Sequence, residues 1–302
     1  MQLQLTKNNH FKFGFDQPDF SARTSPTQTW TVNYGSIERP VQDWKSECLI
    51  AAKQIAETTS KQIYVCFSGG IDSEVAIESF RLAGIPVVAA IMRFKNGLNS
   101  HDISWAEKYC RRHQIRMEYY DVDVNAFYQS QEYREVISAT NCFYPMLSLQ
   151  MKIMEWVAQN GGFPVVGSAE CYVERLPTGN WVLFEREIYA SLYRFQILKN
   201  FEGVCGFFQW SPEIMYSFLI DPMIGKLVAG EIFGKTNSLE IKQHIYGHHF
   251  LTELRPKYYG WEQFGELEQK LRMKLLSRFS YAQGEAKTPF DVALKILNGR
   301  GF

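Results

Sequence analysis

Between residues 62 and 167, short apolar runs alternate with segments of helical spacing, and this alternation limits the fold more than any other feature. The runs at 62–67, 86–94, 116–124 and 163–167 are continuous rather than alternating in polarity, the mark of strands buried on both faces. The segments 73–83, 100–113 and 145–159 carry helical spacing, with Gly84 and Gly161-Gly162 as stop signals. Single helices between buried strands predict a parallel sheet covered on both sides.

The flanks read differently. Within residues 1–38, Phe11, Phe13 and Phe15 alternate with His10, Lys12 and Gly14, so a half-buried strand is expected, with 29–32 able to pair with it. Val41, Trp44, Cys48, Ala52 and Ile55 then follow helical spacing, giving an amphipathic helix over 41–58. Past Cys171 a hairpin is expected over 172–187, turning at Pro177-Thr178-Gly179-Asn180. Helices are expected at 188–200, 212–230, 237–246 and 265–278. Three parts follow: a strand-and-turn leader (1–40), an α/β body (41–171), and a hairpin with a mainly helical region (172–302).

The 302 residues carry 32 basic and 32 acidic side chains, so charge gives no reason to expect strong non-specific nucleic-acid binding. Six cysteines, at 48, 66, 110, 142, 171 and 205, form no Cys-x-x-Cys pair. Cys110 and His113 are spaced like half a zinc site with no second half. Scattered cysteines, an N-terminus without an apolar signal region and apolar runs too short to span a bilayer lead to the expectation of a soluble, cytoplasmic protein.

The strongest local signal is Ser68-Gly69-Gly70-Ile71-Asp72-Ser73, lying between the first buried strand and the helix after it. Paired glycines allow positive φ and let phosphate oxygens approach backbone N–H groups. The helix that follows points its positive dipole end at the same place. Ser68 and Ser73 can donate hydroxyl hydrogen bonds, whereas Asp72 would repel a bare phosphate and makes sense beside Mg²⁺. The loop has no Lys, unlike a Gly-x-x-x-x-Gly-Lys-Ser/Thr loop built around the γ-phosphate.

These six residues resemble the pyrophosphate-binding loop of the PP-loop ATP pyrophosphatases, a superfamily that includes GMP synthetase, asparagine synthetase, 7-cyano-7-deazaguanine synthase and several tRNA-modifying enzymes; sulfonucleotide (PAPS) reductases share the fold. The resemblance spans roughly 60–170 by element order. It implies a Rossmann-like three-layer α/β/α fold and a shared first step, in which a substrate oxygen attacks the α-phosphate of ATP to give an adenylate and pyrophosphate. A nitrogen or sulfur nucleophile then displaces AMP. Ser68, Gly69, Gly70, Ile71, Asp72 and Ser73 would bind the nucleotide, and Asp72 would hold Mg²⁺. The resemblance places adenine at Met92-Arg93, held by backbone groups. After the fourth strand, Gly167 would admit the α-phosphate and Glu170 would be a second metal ligand.

Farther on, 242–260 mixes cations with aromatics around Pro256, and Arg255 and Lys257 are the expected charge-neutralising pair. His248-His249 are a weak metal pair, and Phe207, Phe208, Trp210 and Trp261 read as core. Several subfamily marks are missing: paired catalytic cysteines, a cysteine cluster for zinc, a cysteine in the tail, and a cysteine after Met1. The expected partners are therefore ATP with Mg²⁺ and a small-molecule or nucleobase acceptor; a homodimer stays open, a membrane partner is not expected, and nucleic acid is not favoured. A sulfonucleotide-binding enzyme and a non-catalytic nucleotide sensor are the alternatives.

Overall fold

The computed structural model describes residues 12–17, 19–142, 144–236, 238–250, 266–267, 269–271, 273–274 and 284–299. Its centre is a four-stranded parallel sheet of β3 (Ile63–Cys66), β4 (Val88–Phe94), β5 (Arg116–Val122) and β6 (Phe163–Val166), in the order β5-β4-β3-β6. Every residue of β3 and β6 is buried, as continuous apolar runs require. Helices α2 (Ile71–Leu82), α3 (Ser100–His113) and α6 (Pro145–Gln159) connect the strands, and α1 (Trp44–Glu57) packs on α2. The fold is α/β with helices flanking a parallel sheet, as expected.

The chain builds outward from β3 through β4 to β5, then returns to place β6 on the other side of β3. Cys66 therefore lies opposite Val166 on one side and Ala90 on the other. The loops leaving β3 and β6 emerge side by side where the strand order reverses, the place where open α/β sheets bind ligands.

In the leader, β1 (Lys12–Phe15) pairs antiparallel with β2 (Trp30–Asn33), Phe13 opposite Val32 and Phe15 opposite Trp30. The expected hairpin forms from β7 (Val173–Arg175) and β8 (Trp181–Arg186), but β8 also takes a third strand, β9 (Glu285–Pro289). Glu-Ala-Lys-Thr-Pro at 285–289 has no apolar alternation to predict a strand, and it pairs at a sheet edge. Helices α4 (Val124–Gln129) and α5 (Gln131–Thr140) were also unassigned. They start at Asp123 and Ser130, whose side chains accept the N–H groups of Ala126 and Tyr133.

Beyond β8 come α7 (Ala190–Lys199), α8 (Pro212–Leu219), α9 (Pro222–Ala229), α10 (Leu239–Phe250) and α11 (Phe290–Leu297). The single helix expected over 212–230 is two. Pro222 has no N–H to continue α8 and disfavours helical geometry at Asp221, whose side chain instead accepts Met223 N–H at 2.8 Å and starts α9. Of the helix expected at 265–278, residues 266–267, 269–271 and 273–274 are described and helical. Among the described residues, no helix is long and apolar enough to cross a membrane.

Candidate functional site

The turn after β3 is shaped by two glycines and two serines. Gly69 has φ +83°, and a Cβ there would sit 2.0 Å from the carbonyl oxygen of Asp102 on α3. Only glycine satisfies both demands. Gly70 is the N-cap of α2, and no side chain caps that helix. Ser73 Oγ donates to the Gly70 carbonyl at 2.9 Å, lies 3.1 Å from Ser68 Oγ, and is buried. Its hydroxyl thus holds the turn, while Ser68 is exposed with Gly70 at the mouth of the loop. Ile71 is buried and anchors the first turn of α2.

The loop after β6 lies against this turn. A Cβ on Gly167 would come 2.8 Å from Ser73 Cα and 2.9 Å from Ala76 Cβ. The missing side chain of Gly167 thus makes room for α2. Ala169 then adopts φ +69°, a left-handed conformation that costs a non-glycine residue about 1 kcal/mol. Three residues past Gly167, Glu170 comes to face Asp72.

What joins Asp72 to Glu170 is a side chain that sequence reasoning did not single out. Lys242 Nζ donates to Asp72 Oδ1 at 2.7 Å and also to Glu170 Oε1. One helical turn on, Tyr246 O–H donates to the same Asp72 oxygen at 2.8 Å. Lys242 is 1% exposed and lies on the apolar stripe of α10 with Ile241, Ile245 and Tyr246. Burial pushes the Lys242 ammonium towards neutrality, but the Asp72 and Glu170 carboxylates outweigh it and hold its pKa above the ordinary lysine value. Burial, with Asp72 and Glu170, raises the Tyr246 phenol far above its usual range, so it stays a donor. The Tyr246 ring stacks on Trp44 at 5.1 Å, which fixes α10 against α1. A partial signal was available: Lys242 shares a helix face with Ile241, Ile245 and Tyr246, an unusual place for a lysine.

Magnesium held between Asp72 and Glu170 does not fit this arrangement. The ammonium occupies the point where the carboxylates converge, and a divalent ion there would lie against a buried positive charge. Among the described residues, no three His, Cys, Asp or Glu side chains group to hold a metal. The weak pair His248-His249 sits elsewhere, with His249 Nε2 2.8 Å from Asp221 Oδ2.

At the end of β4, the Met92 carbonyl accepts Asn99 Nδ2–H at 2.9 Å, and Asn99 Oδ1 accepts the Phe94 N–H at 2.9 Å. Arg93 is exposed, pairs with Asp121 at 2.7 Å and lies over the Tyr119 ring at 4.3 Å. Arg255, Lys257 and Trp261 lie outside the described residues. Phe207, Phe208 and Trp210 are core, as expected. All six cysteines are free and buried. Burial pushes the thiols of Cys66 and Cys110 up to about 12 and that of Cys142 to about 11, so none of these three is a ready thiolate.

No protein-family model matches the chain, and no curated protein matches it. Among solved structures, the chain is similar to an NMN synthetase from Francisella tularensis, at 13% identity and a TM-score of 0.33, covering 71% of this chain and 98% of that one. It is also similar to an NH3-dependent NAD synthetase from Campylobacter jejuni subsp. jejuni NCTC 11168 in complex with the nitrate ion, at 12% identity and a TM-score of 0.32, covering 78% of this chain and 93% of that one. Likeness of that degree carries no argument about activity.

Proposed function

We propose that the chain binds ATP with its β- and γ-phosphates against the turn 68–73 and adenylates a substrate oxygen, releasing pyrophosphate. The observation that carries this reading is the uncapped N-terminus of α2, entered through a left-handed glycine at the point where the strand order reverses. Backbone N–H groups there can stabilise the charge that develops on departing pyrophosphate. Ser68 offers its exposed hydroxyl, while Gly69, Ile71 and Ser73 fix the backbone around it. The Met92 carbonyl has a second lone pair for the amino group of adenine, and Arg93 lies at the rim to meet ribose or phosphate. Arg255 and Lys257 remain the proposed cations that close over the phosphates. Magnesium belongs to this reading as the counter-ion ATP brings on its own phosphates. Buried, protonated thiols favour nitrogen over a cysteine-borne sulfur as the second nucleophile.

The test is product analysis with ATP, ammonia and a panel of carboxylic acids, amides and nucleobases. AMP and pyrophosphate should form in equal amounts with at least one acceptor, and Gly70→Asp, which puts a carboxylate at the mouth of the turn, should abolish both. Formation of ADP and phosphate instead, or turnover unchanged in Gly70→Asp, refutes the assignment.

A further inference from the structure

We infer that Lys242 is a permanent cation built into this site, standing between Asp72 and Glu170 where a protein-held divalent ion would otherwise lie. Two carboxylates brought together beside the loop would place two negative charges where phosphate is to arrive. The ammonium offsets part of that charge and supplies N–H donors to both carboxylates.

Its placement leaves no slack. Ile241 and Ile245 are buried beside it, Tyr246 is tied to Asp72, and the Tyr246 ring is stacked on Trp44. Withdrawing Lys242 to admit a metal would take from both carboxylates the ammonium they share and undo the docking of α10. A lysine in this position is therefore a substitute for the metal, one that a chelator cannot remove. The inference stands on this geometry alone and holds whichever ligand the loop takes.

Mn²⁺ alone is the probe, with binding to the full chain followed by electron paramagnetic resonance. Wild type and Asp72→Asn should bind Mn²⁺ equally weakly. Lys242→Met, which exposes the carboxylate pair, should gain one site per chain, and Lys242→Met/Asp72→Asn should lose it again. A wild-type Mn²⁺ site that disappears in Asp72→Asn overturns the inference without needing any lysine variant to fold. So does a folded Lys242→Met, checked by circular dichroism, that gains no site. If the Mn²⁺ results hold while no pyrophosphate is formed from ATP, the nucleotide reading fails and this one stands.

Discussion

At the scale of single residues, the site depends on two backbone positions with opposite chemistry. Gly69 uses the left-handed region freely, and its missing side chain lets α3 close on the loop. Ala169 takes the same region against its preference, with its methyl group beside Gly206, where an added Cβ would lie 2.6 Å away. The left-handed residue directly precedes Glu170, whose carboxylate accepts from Lys242. Ala169→Gly removes the left-handed cost of about 1 kcal/mol, and the extra freedom of an unfolded glycine offsets roughly 0.5 kcal/mol or more of it, leaving a gain of at most about 0.5 kcal/mol. Urea unfolding should therefore show a higher midpoint for Ala169→Gly, and a lower one would mean that the methyl contact outweighs the strain. Sequence reading could name Gly69 and Glu170 because loop composition carries them. It could not pair Glu170 with Lys242, because nothing local links residue 170 to residue 242.

At the scale of elements, what was legible depended on periodicity and what was missed depended on pairing. The parallel sheet and its crossover helices announce themselves by apolar runs and helical spacing, so β3, β4, β5, β6, α3 and α6 fell within a few residues of expectation. Strand β9 carries no such pattern, since its place is set by β8. The split between α8 and α9 was written in Asp221-Pro222, but the apolar spacing on either side masked it. Asp221 has two tasks there: its Oδ1 caps α9, and its Oδ2 meets His249 of α10. Because α10 carries Lys242, this corner also supports the site. Asp221→Ala should cost about 1–2 kcal/mol through the lost cap and the orphaned contact. Amide hydrogen exchange should quicken in the first turn of α9 and along α10 while α3 stays protected, and uniform quickening would contradict a local role.

At the scale of the whole molecule, distant segments are joined by buried polar groups. Tyr34 O–H lies 3.1 Å from Thr288 Oγ1, and the Arg194 guanidinium donates to the carbonyls of Phe20, Ser21 and Thr140 and to Glu187. Glu185 is different, because among the described residues no cation pairs with it. Along β8, Val182 and Phe184 pack with Tyr172 in a small separate cluster, while Leu183 and Glu185 face the main core. Glu185 has Gln209 Nε2 at 3.4 Å, and its Oε1 is buried with no hydrogen-bond partner among the described residues. Burial, with the Glu170 charge adding to it, pushes the Glu185 carboxyl up to about 8. A raised carboxyl binds its proton more tightly in the folded state, so its stabilising effect is complete below the unfolded pKa, near 4.5, and is lost as pH rises through about 8. Within that window stability should fall by up to about 1.4 kcal/mol per pH unit from this group. His113, held low by burial and by Arg81, acts in the opposite sense near and below its usual pKa, so the wild-type profile alone is ambiguous. Comparison with Glu185→Gln cancels that contribution, because glutamine keeps a polar group beside Gln209 and carries no proton to lose. Urea unfolding of both proteins between about pH 5 and 9 should show wild type losing stability relative to Glu185→Gln up to about pH 8, with the two curves parallel above it. Parallel curves throughout would mean that Glu185 is ionised and paired at neutral pH, and that the core tolerates its charge.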